Sequence, residues 1–125
     1  MDVTRDEVID YLSEVKQSVN DGRYQISPRT KNQILYIDYV FSEELCKEII
    51  LDLEVDDFSD AVKNDHPQHP EEVLYIFGKE VSLLPKHGGD EETVALYIKF
   101  NKLTNLYVIV VSFHKQDYPL NYRFK

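Results

Sequence analysis

The chain has 125 residues, of which 42% are apolar, and this length and composition suit one domain with a core of ordinary size. Its net charge of −9 argues against nonspecific nucleic-acid binding, because a polyanion is repelled at long range. No apolar run is long enough to span a membrane, the first residues lack the apolar segment of a signal peptide, and Cys46 has no second cysteine for a disulfide. We therefore expect a cytoplasmic protein with a single domain over 1–125.

The first half of the chain has the patterns of helices. Thr4 and Glu7 have the spacing of a capping box, and the apolar residues after them recur on one face, which predicts a helix over 5–20. Ser42, followed by two glutamates, predicts the N-cap of a second helix. The helical part, about 5–63, also contains two shorter predicted pieces, a helix over 31–38 and a turn with a helical piece over 55–63.

The apolar period changes from that of a helix to that of a strand after the proline-containing loop NDHPQHP. Strands are predicted over 73–81, 93–100 and 106–113, in a sheet part of about 72–114 that is followed by a tail over 115–125. The short connections between the strands favour an antiparallel meander. The expected fold class is α+β, with N-terminal helices packed on a small antiparallel sheet.

Polar side chains follow the last two predicted strands. Alternation places Tyr97 and Lys99 on one face of their strand, and Ser112 and His114 on one face of the next strand, together with Val108 and Val110. A loop with an even number of residues would bring the two polar pairs to the same face of the sheet, and one residue more or less would separate them. The sequence leaves this register open, and a polar face that only contacts water is the simpler interpretation.

If the polar pairs meet, their chemistry suits RNA cleavage by the RNA's own 2′-hydroxyl. The imidazole of His114 titrates near neutral pH, so it can act as general base or general acid. Lys99 can stabilise charge that develops on the phosphate, and Tyr97 can orient the phosphate or donate a proton. No metal is required, and the spacing of His66 and His69 between prolines does not predict a metal site.

Several segments, taken in order, resemble the MqsR family of bacterial toxins: VKQSVNDGRY, CKEIILDLEVDDF, VLYIFGKEV, ALYIKF and VVSFHK. The tail YPLNYRFK resembles the branch of this family found in Gram-positive bacteria and mobile elements, and the resemblance covers about residues 12–125. It implies a RelE-like fold and an endoribonuclease that cleaves mRNA without a metal or other cofactor. It also implies a cognate antitoxin as partner, typically a protein with a zinc finger and a helix-turn-helix.

The resemblance also implies roles for individual residues. The strand tyrosine, the lysine two residues later and the basic residue after "SF" fall on Tyr97, Lys99 and His114, which are the predicted catalytic residues. The family's lysine after "DFY" falls on Asp60, which is a reversal of charge. Lys63 is the nearest replacement, one turn later if that piece is helical.

Three further basic residues are candidates for substrate binding. Lys79 shares a strand face with Tyr75 and Phe77 and can supply the cation that is missing at Asp60. Lys115 and Arg123 belong to the locally basic end of the chain, whose aromatic side chains either stack on bases or pack on the sheet.

The charge reversal and the acidic net charge support an alternative function. In it, the chain is a catalytically inactive member of the same fold and acts as a protein-binding regulatory module, with the acidic helical half as its interface. A third interpretation is a small structural domain whose polar sheet face is only solvated.

Overall fold

The computed structural model describes all residues from Met1 to Lys125 and confirms an α+β fold in which helices pack on a sheet. No helix has the length and apolar character needed to cross a membrane. The helices are α1 (Arg5–Asn20), α2 (Ile34–Asp38) and α3 (Glu43–Leu51), with 3₁₀ turns at Thr30–Gln33 and Val55–Asp57. The strands are β1 (Tyr24–Ile26), β2 (Phe58–Lys63), β3 (Val73–Leu83), β4 (Glu92–Lys102) and β5 (Val108–Lys115).

Both predicted helix starts are confirmed by their hydrogen bonds. The Thr4 hydroxyl accepts from the Glu7 amide at 3.1 Å, while the Glu7 carboxylate accepts from the Thr4 amide at 3.2 Å. The Ser42 hydroxyl accepts from the Leu45 amide at 3.1 Å. These caps satisfy amides that have no partner inside a helix, which fixes where α1 and α3 begin.

The sheet has five strands in the order β1-β5-β4-β3-β2, so the predicted three-stranded meander is correct for its centre and incomplete at both edges. The edge strand β1 pairs with β5 in parallel, which makes the sheet mixed rather than antiparallel. At the other edge, the helical piece predicted over 55–63 is wrong beyond the 3₁₀ turn, because the segment pairs with β3 as β2. A register shift between Phe58 and Asp60 leaves the buried residues Phe58 and Ala61 three positions apart, a spacing that resembles a helix.

The core lies between the helices and one face of the sheet, called here the inner face. Phe58, Phe77, Ile98 and Phe113 are paired in register across four strands and are all buried on this face. Fully burying four such side chains stabilises the fold by roughly 1.5–3 kcal/mol for each. The inner face therefore contains the hydrophobic core, and the opposite, outer face is available for a functional site.

The C-terminal tail, residues 116–125, packs on the outer face over Gly78. A side chain at Gly78 would clash with Leu120 Cδ1 at 2.7 Å, with Gln116 Nε2 at 2.8 Å and with the Tyr122 hydroxyl. The Gln116 amide donates to the Leu96 carbonyl at 3.0 Å, and further along the tail the Asn121 carbonyl accepts from the Ser59 hydroxyl at 2.7 Å. The tail is therefore an ordered part of the domain, and a strand residue without a side chain makes room for it.

We predict that Gly78→Ala destabilises the protein by about 1–3 kcal/mol, because the new methyl group forces the tail away from the sheet. Urea unfolding measures the loss, and limited proteolysis should show faster cleavage within 116–125. Glu80→Ala, an exposed position of the same strand, is the matched control and should change stability by less than about 0.5 kcal/mol. Unchanged stability and unchanged proteolysis in Gly78→Ala would contradict the packing of the tail over Gly78.

Candidate active site

An extra residue in β5 determines which side chains reach the outer face. Lys99 pairs with Ser112 and Phe100 pairs with Val110, so Val111 has no partner in β4. This β-bulge shifts the alternation by one position. Val110 points into the core, whereas Ser112 and His114 point to the outer face. The prediction that Val110 shares a face with Ser112 and His114 is wrong for this reason.

The bulge brings the predicted catalytic residues together. Tyr97 lies directly opposite His114, and their rings stack with centroids 5.2 Å apart and planes 10° apart. Lys99 lies opposite Ser112, with its Nζ 5.9 Å from the centroid of the Tyr97 ring. The imidazole, the phenol and the ammonium therefore form one cluster on the outer face.

Arg29 and Lys31 complete this cluster and were missed by the sequence analysis. The Arg29 guanidinium donates to the Ser112 hydroxyl at 3.1 Å, and Lys31 forms an ion pair with Asp117 of the tail. Both cations line a cavity of about 170 Å³ together with the cluster. The signal for them was the pair of cations in SPRTK, but only the parallel pairing of β1 shows that this loop lies beside β5.

A buried asparagine holds this loop against the bulge. Asn32 is 2% exposed, and its amide group donates to the Val111 carbonyl at 3.1 Å and accepts from the Phe113 amide at 2.9 Å. It also donates to the Ser27 carbonyl at 3.0 Å. The side chain therefore forms hydrogen bonds with the Val111 carbonyl and the Phe113 amide, which lie beyond the end of the short strand β1. It also fixes Arg29 near Ser112.

The geometry of His114 suits a general base. Its Nδ1 lies 2.7 Å from the Lys115 carbonyl, which can only accept, so Nδ1 carries the proton and Nε2 is free to accept one. Burial lowers the pKa of His114 below its ordinary value of 6.5, and the nearby cations Lys31 and Arg29 lower it as well. The hydrogen bond that Nδ1 donates to the Lys115 carbonyl and the charge of Asp117 raise the pKa and so act in the opposite direction. The neutral ring is therefore favoured at neutral pH.

Burial also acts on the other two predicted catalytic residues. It lowers the pKa of Lys99, and the charge of Arg29 lowers it further. It raises the pKa of Tyr97, so that the phenol keeps its proton at neutral pH. The site therefore presents the free imidazole nitrogen of His114, the protonated phenol of Tyr97 and three cations around a single small cavity.

The three lysines predicted to bind substrate lie away from the cluster. Lys79 is on the inner side of the sheet and pairs with Asp57 at 3.5 Å. Lys63 is at the far end of β2, opposite Val73. Lys115 also points away from His114, with its Nζ 4.9 Å from the Tyr39 ring centroid. Alternation along the strands separates all three from the cluster, and Lys63 is in a strand rather than in the helix that would have brought it closer.

Arg123 is the fourth predicted substrate-binding residue, and it lies beside the cluster. It forms an ion pair with Asp60 and donates to the Met1 carbonyl at 2.8 Å. Asp60 is on the outer face, in register through Ile76 with Lys99. The charge reversal at Asp60 is thus matched by a cation from the tail.

The histidine loop contains a group of possible metal ligands that is separate from the cluster. Ligand atoms of His69, Glu71 and Glu72 lie within 4.8 Å of one another. The Glu72 carboxylate already accepts from the amides of Asn64 and Asn101, each at 3.0 Å. His69 and Glu71 are exposed, so this group has the character of a solvated polar surface.

Compared with protein-family models, with curated proteins and with solved structures, the chain matches none of them.

The lowered pKa of His114 predicts a pH dependence of stability. Because the unfolded chain binds this proton more tightly, the free energy of unfolding should fall as the pH decreases through about 6.5 and approaches the lower pKa of the folded state. Urea unfolding between pH 7.5 and 5 measures this slope. His114→Gln should flatten it, whereas His87→Gln, at an exposed turn, should leave it unchanged. An equal slope in wild type and His114→Gln would refute the assignment.

Proposed function

We propose that the protein is an endoribonuclease of the kind implied by its resemblance to the MqsR toxins. The observation that carries the proposal is the convergence of His114, Tyr97, Lys99 and Arg29 on one cavity, produced by a bulge that the sequence pattern does not reveal. A face that was only solvated would not need a guanidinium, an ammonium and a buried imidazole within the same few ångströms. His114, Tyr97 and Lys99 are also the residues on which the motifs of the resembling family fall.

The proposed reaction is a transesterification within the RNA. His114 Nε2 takes the proton of the 2′-hydroxyl, and the 2′-oxygen attacks the adjacent phosphorus. The bond from phosphorus to the 5′-oxygen breaks, and Tyr97 donates its proton to that leaving oxygen. The products are a 2′,3′-cyclic phosphate and a 5′-hydroxyl. Lys99 and Arg29 stabilise the negative charge that develops on the phosphate oxygens in the transition state, as the 2′-oxygen attacks and the 5′-oxygen leaves.

The local charge of the site fits this substrate better than the net charge suggests. Three cations, Arg29, Lys31 and Lys99, lie around the cavity with one carboxylate, Asp117, so the local charge is positive although the net charge of the chain is −9. Field lines from a concentrated patch act on a phosphate a few ångströms away, while the distant acidic charges are screened by salt. The acidic charge therefore opposes nonspecific binding without preventing binding at the site.

The biological setting is part of the proposal and follows from the resemblance. The substrate is mRNA in the cytoplasm, and its cleavage arrests growth. The partner is a cognate antitoxin, a zinc-finger and helix-turn-helix protein that holds the enzyme inactive. Under this proposal the chain is difficult to express alone and tolerated when the antitoxin is present.

The first test is cleavage of a long mRNA by purified protein in excess chelator. We expect specific cuts that end in a 2′,3′-cyclic phosphate, and a loss of rate of about 10²–10⁴-fold in His114→Gln. Glutamine is preferred to alanine because His114 is only 7% exposed and stacks on Tyr97, so truncation would leave a cavity. Lys99→Met should also reduce the rate strongly, because the phosphate loses a cation.

The controls separate activity from folding. His87→Gln should cleave like wild type, and circular dichroism should show the same fold in every variant. Cuts that persist in His114→Gln and Lys99→Met would exclude these residues from catalysis. A folded wild-type protein that makes no cut, with or without ribosomes, would favour the protein-binding alternative.

One surface feature supports a protein partner in either case. Apolar side chains are exposed side by side around α2, where Ile37 is 62% and Val40 is 56% exposed. The Val40 amide donates to the Leu84 carbonyl at 2.8 Å, which brings the exposed Leu84 to the same place. Exposed apolar groups that adjoin one another are typical of interaction sites. We propose that the antitoxin covers this patch.

The patch predicts a separation of functions. Ile37→Asp combined with Val40→Asp should weaken co-purification with the protein encoded by the neighbouring gene by at least about tenfold, because charges would be buried without partners. The same double variant should cleave RNA at the wild-type rate, since neither residue lines the cavity. Glu44→Gln, an exposed change on α3, is the control. A complex of unchanged affinity would place the partner elsewhere.

A further inference from the structure

A second cavity of about 450 Å³ adjoins the proposed active site, and Tyr97 and Tyr118 line both. Its volume falls in the range of sites that hold small ligands, roughly 300–1,000 Å³. In RNA, the base and the attacking 2′-hydroxyl belong to the same nucleotide. A base attached to the reacting ribose must therefore lie next to the phosphate site, which is where this second cavity is found.

The walls of the second cavity suit the flat face of a base. The tail supplies Tyr118, Pro119 and Leu120, and β3 supplies Ile76. Tyr118 is 65% exposed, so its ring is available to a ligand. Aromatic side chains that are exposed beside a cationic groove bind the bases of single-stranded RNA by stacking.

The polar side of the cavity has an unusual group for an enzyme whose substrate is an anion. Asp60 Oδ1 accepts from the Ala61 amide at 2.8 Å and from Arg123, whereas Oδ2 has no hydrogen-bond partner in the protein. A carboxylate repels phosphate, so Asp60 does not bind the RNA backbone. Its unpaired Oδ2 can accept a hydrogen bond from an uncharged donor, and in RNA the ring N–H and amino groups of the bases are donors of that kind.

We propose that this cavity binds the nucleobase next to the scissile phosphate, with one face of the base against Tyr118 and a donor-bearing edge toward Asp60. The inference rests on the proposed ribonuclease function and adds to it a determinant of base specificity. It also gives the charge reversal at Asp60 a role, because an aspartate at this position selects donors where a lysine would bind phosphate. Arg123 offsets the carboxylate charge and ties the tail to β2.

Asp60→Asn is the sharpest test because it keeps the size of the side chain. Oδ1 of the asparagine still accepts from the Ala61 amide, so its Nδ2 takes the place of the free carboxylate oxygen and presents a donor instead of an acceptor. We expect sequencing of the cut ends to show a changed base preference beside the cut, by about tenfold between bases. Asp90→Asn, in the exposed turn between β3 and β4, should leave the preference unchanged.

Tyr118→Ala tests the stacking surface. It should raise the KM for a short RNA by about tenfold and leave kcat nearly unchanged, since the ring binds the base in ground state and transition state alike. Tyr107→Ala, a tyrosine outside both cavities, is the control.

If Asp60→Asn only loosens the tail, limited proteolysis will change and base preference will not, and that result would overturn the inference.

Binding of the four ribonucleoside 3′-monophosphates, followed by NMR chemical shifts, separates this inference from the proposed function. Shifts at Asp60 and Tyr118 that differ between the four bases, in a protein that cuts no RNA, would support the base site and overturn the ribonuclease. Cleavage whose base preference is the same in wild type and Asp60→Asn would support the ribonuclease and overturn the base site. No shifts and no cleavage would overturn both.

Discussion

The extra residue in β5 is the feature on which the outer face depends. Strict alternation after Val110 would direct Ser112 and His114 into the core, where an imidazole needs a hydrogen-bond partner that the apolar inner face does not offer. The bulge at Val111 prevents this, and Asn32 satisfies the backbone groups that lie beyond the end of β1. Asn32 thereby fixes its loop beside the bulge. The bulge therefore sets the positions of Ser112 and His114 directly, and that of Arg29 through Asn32.

The two faces of the sheet divide stability and chemistry between them. The inner face is a continuous apolar layer under α1 and α3, with Tyr11 and Tyr75 stacked 3.7 Å apart between helix and sheet. On the outer face the tail packs over Gly78, and the polar side chains Lys99, Ser112 and His114 are buried or half-buried beside a small cavity. Functional side chains that stand on paired strands keep their geometry because the strands themselves are held by the core. The cluster therefore needs no rigid loop except the one that supplies Arg29.

Local signals predicted what local interactions determine. The caps at Thr4 and Ser42 gave the starts of two helices, since a cap involves residues only three positions apart. Tyr97 and His114 were selected by the family motif, yet their meeting depends on a bulge, and a single added residue reverses every face beyond it. Arg29 was missed because its place depends on β1 pairing with a strand some 80 residues later in the chain. Once the strands are paired, alternation along β3 places Lys79 on the face opposite the cluster. Pairing the predicted strands would therefore have corrected the prediction that Lys79 binds substrate.

The acidic character of the chain and its proposed substrate are consistent once charges are counted by position. Cations surround the small cavity, and the one carboxylate on the same strand row, Asp60, is matched by Arg123. Asp117 similarly pairs with Lys31, which keeps a tail carboxylate from facing His114 without a partner. The tail therefore has an electrostatic role beside its packing role, since it contributes a cation where the sheet has an anion and an anion where the loop has a cation. A chain that lacked the tail would leave both Asp60 and Lys31 without their charged partners, and it would lose the Tyr118 wall of the second cavity.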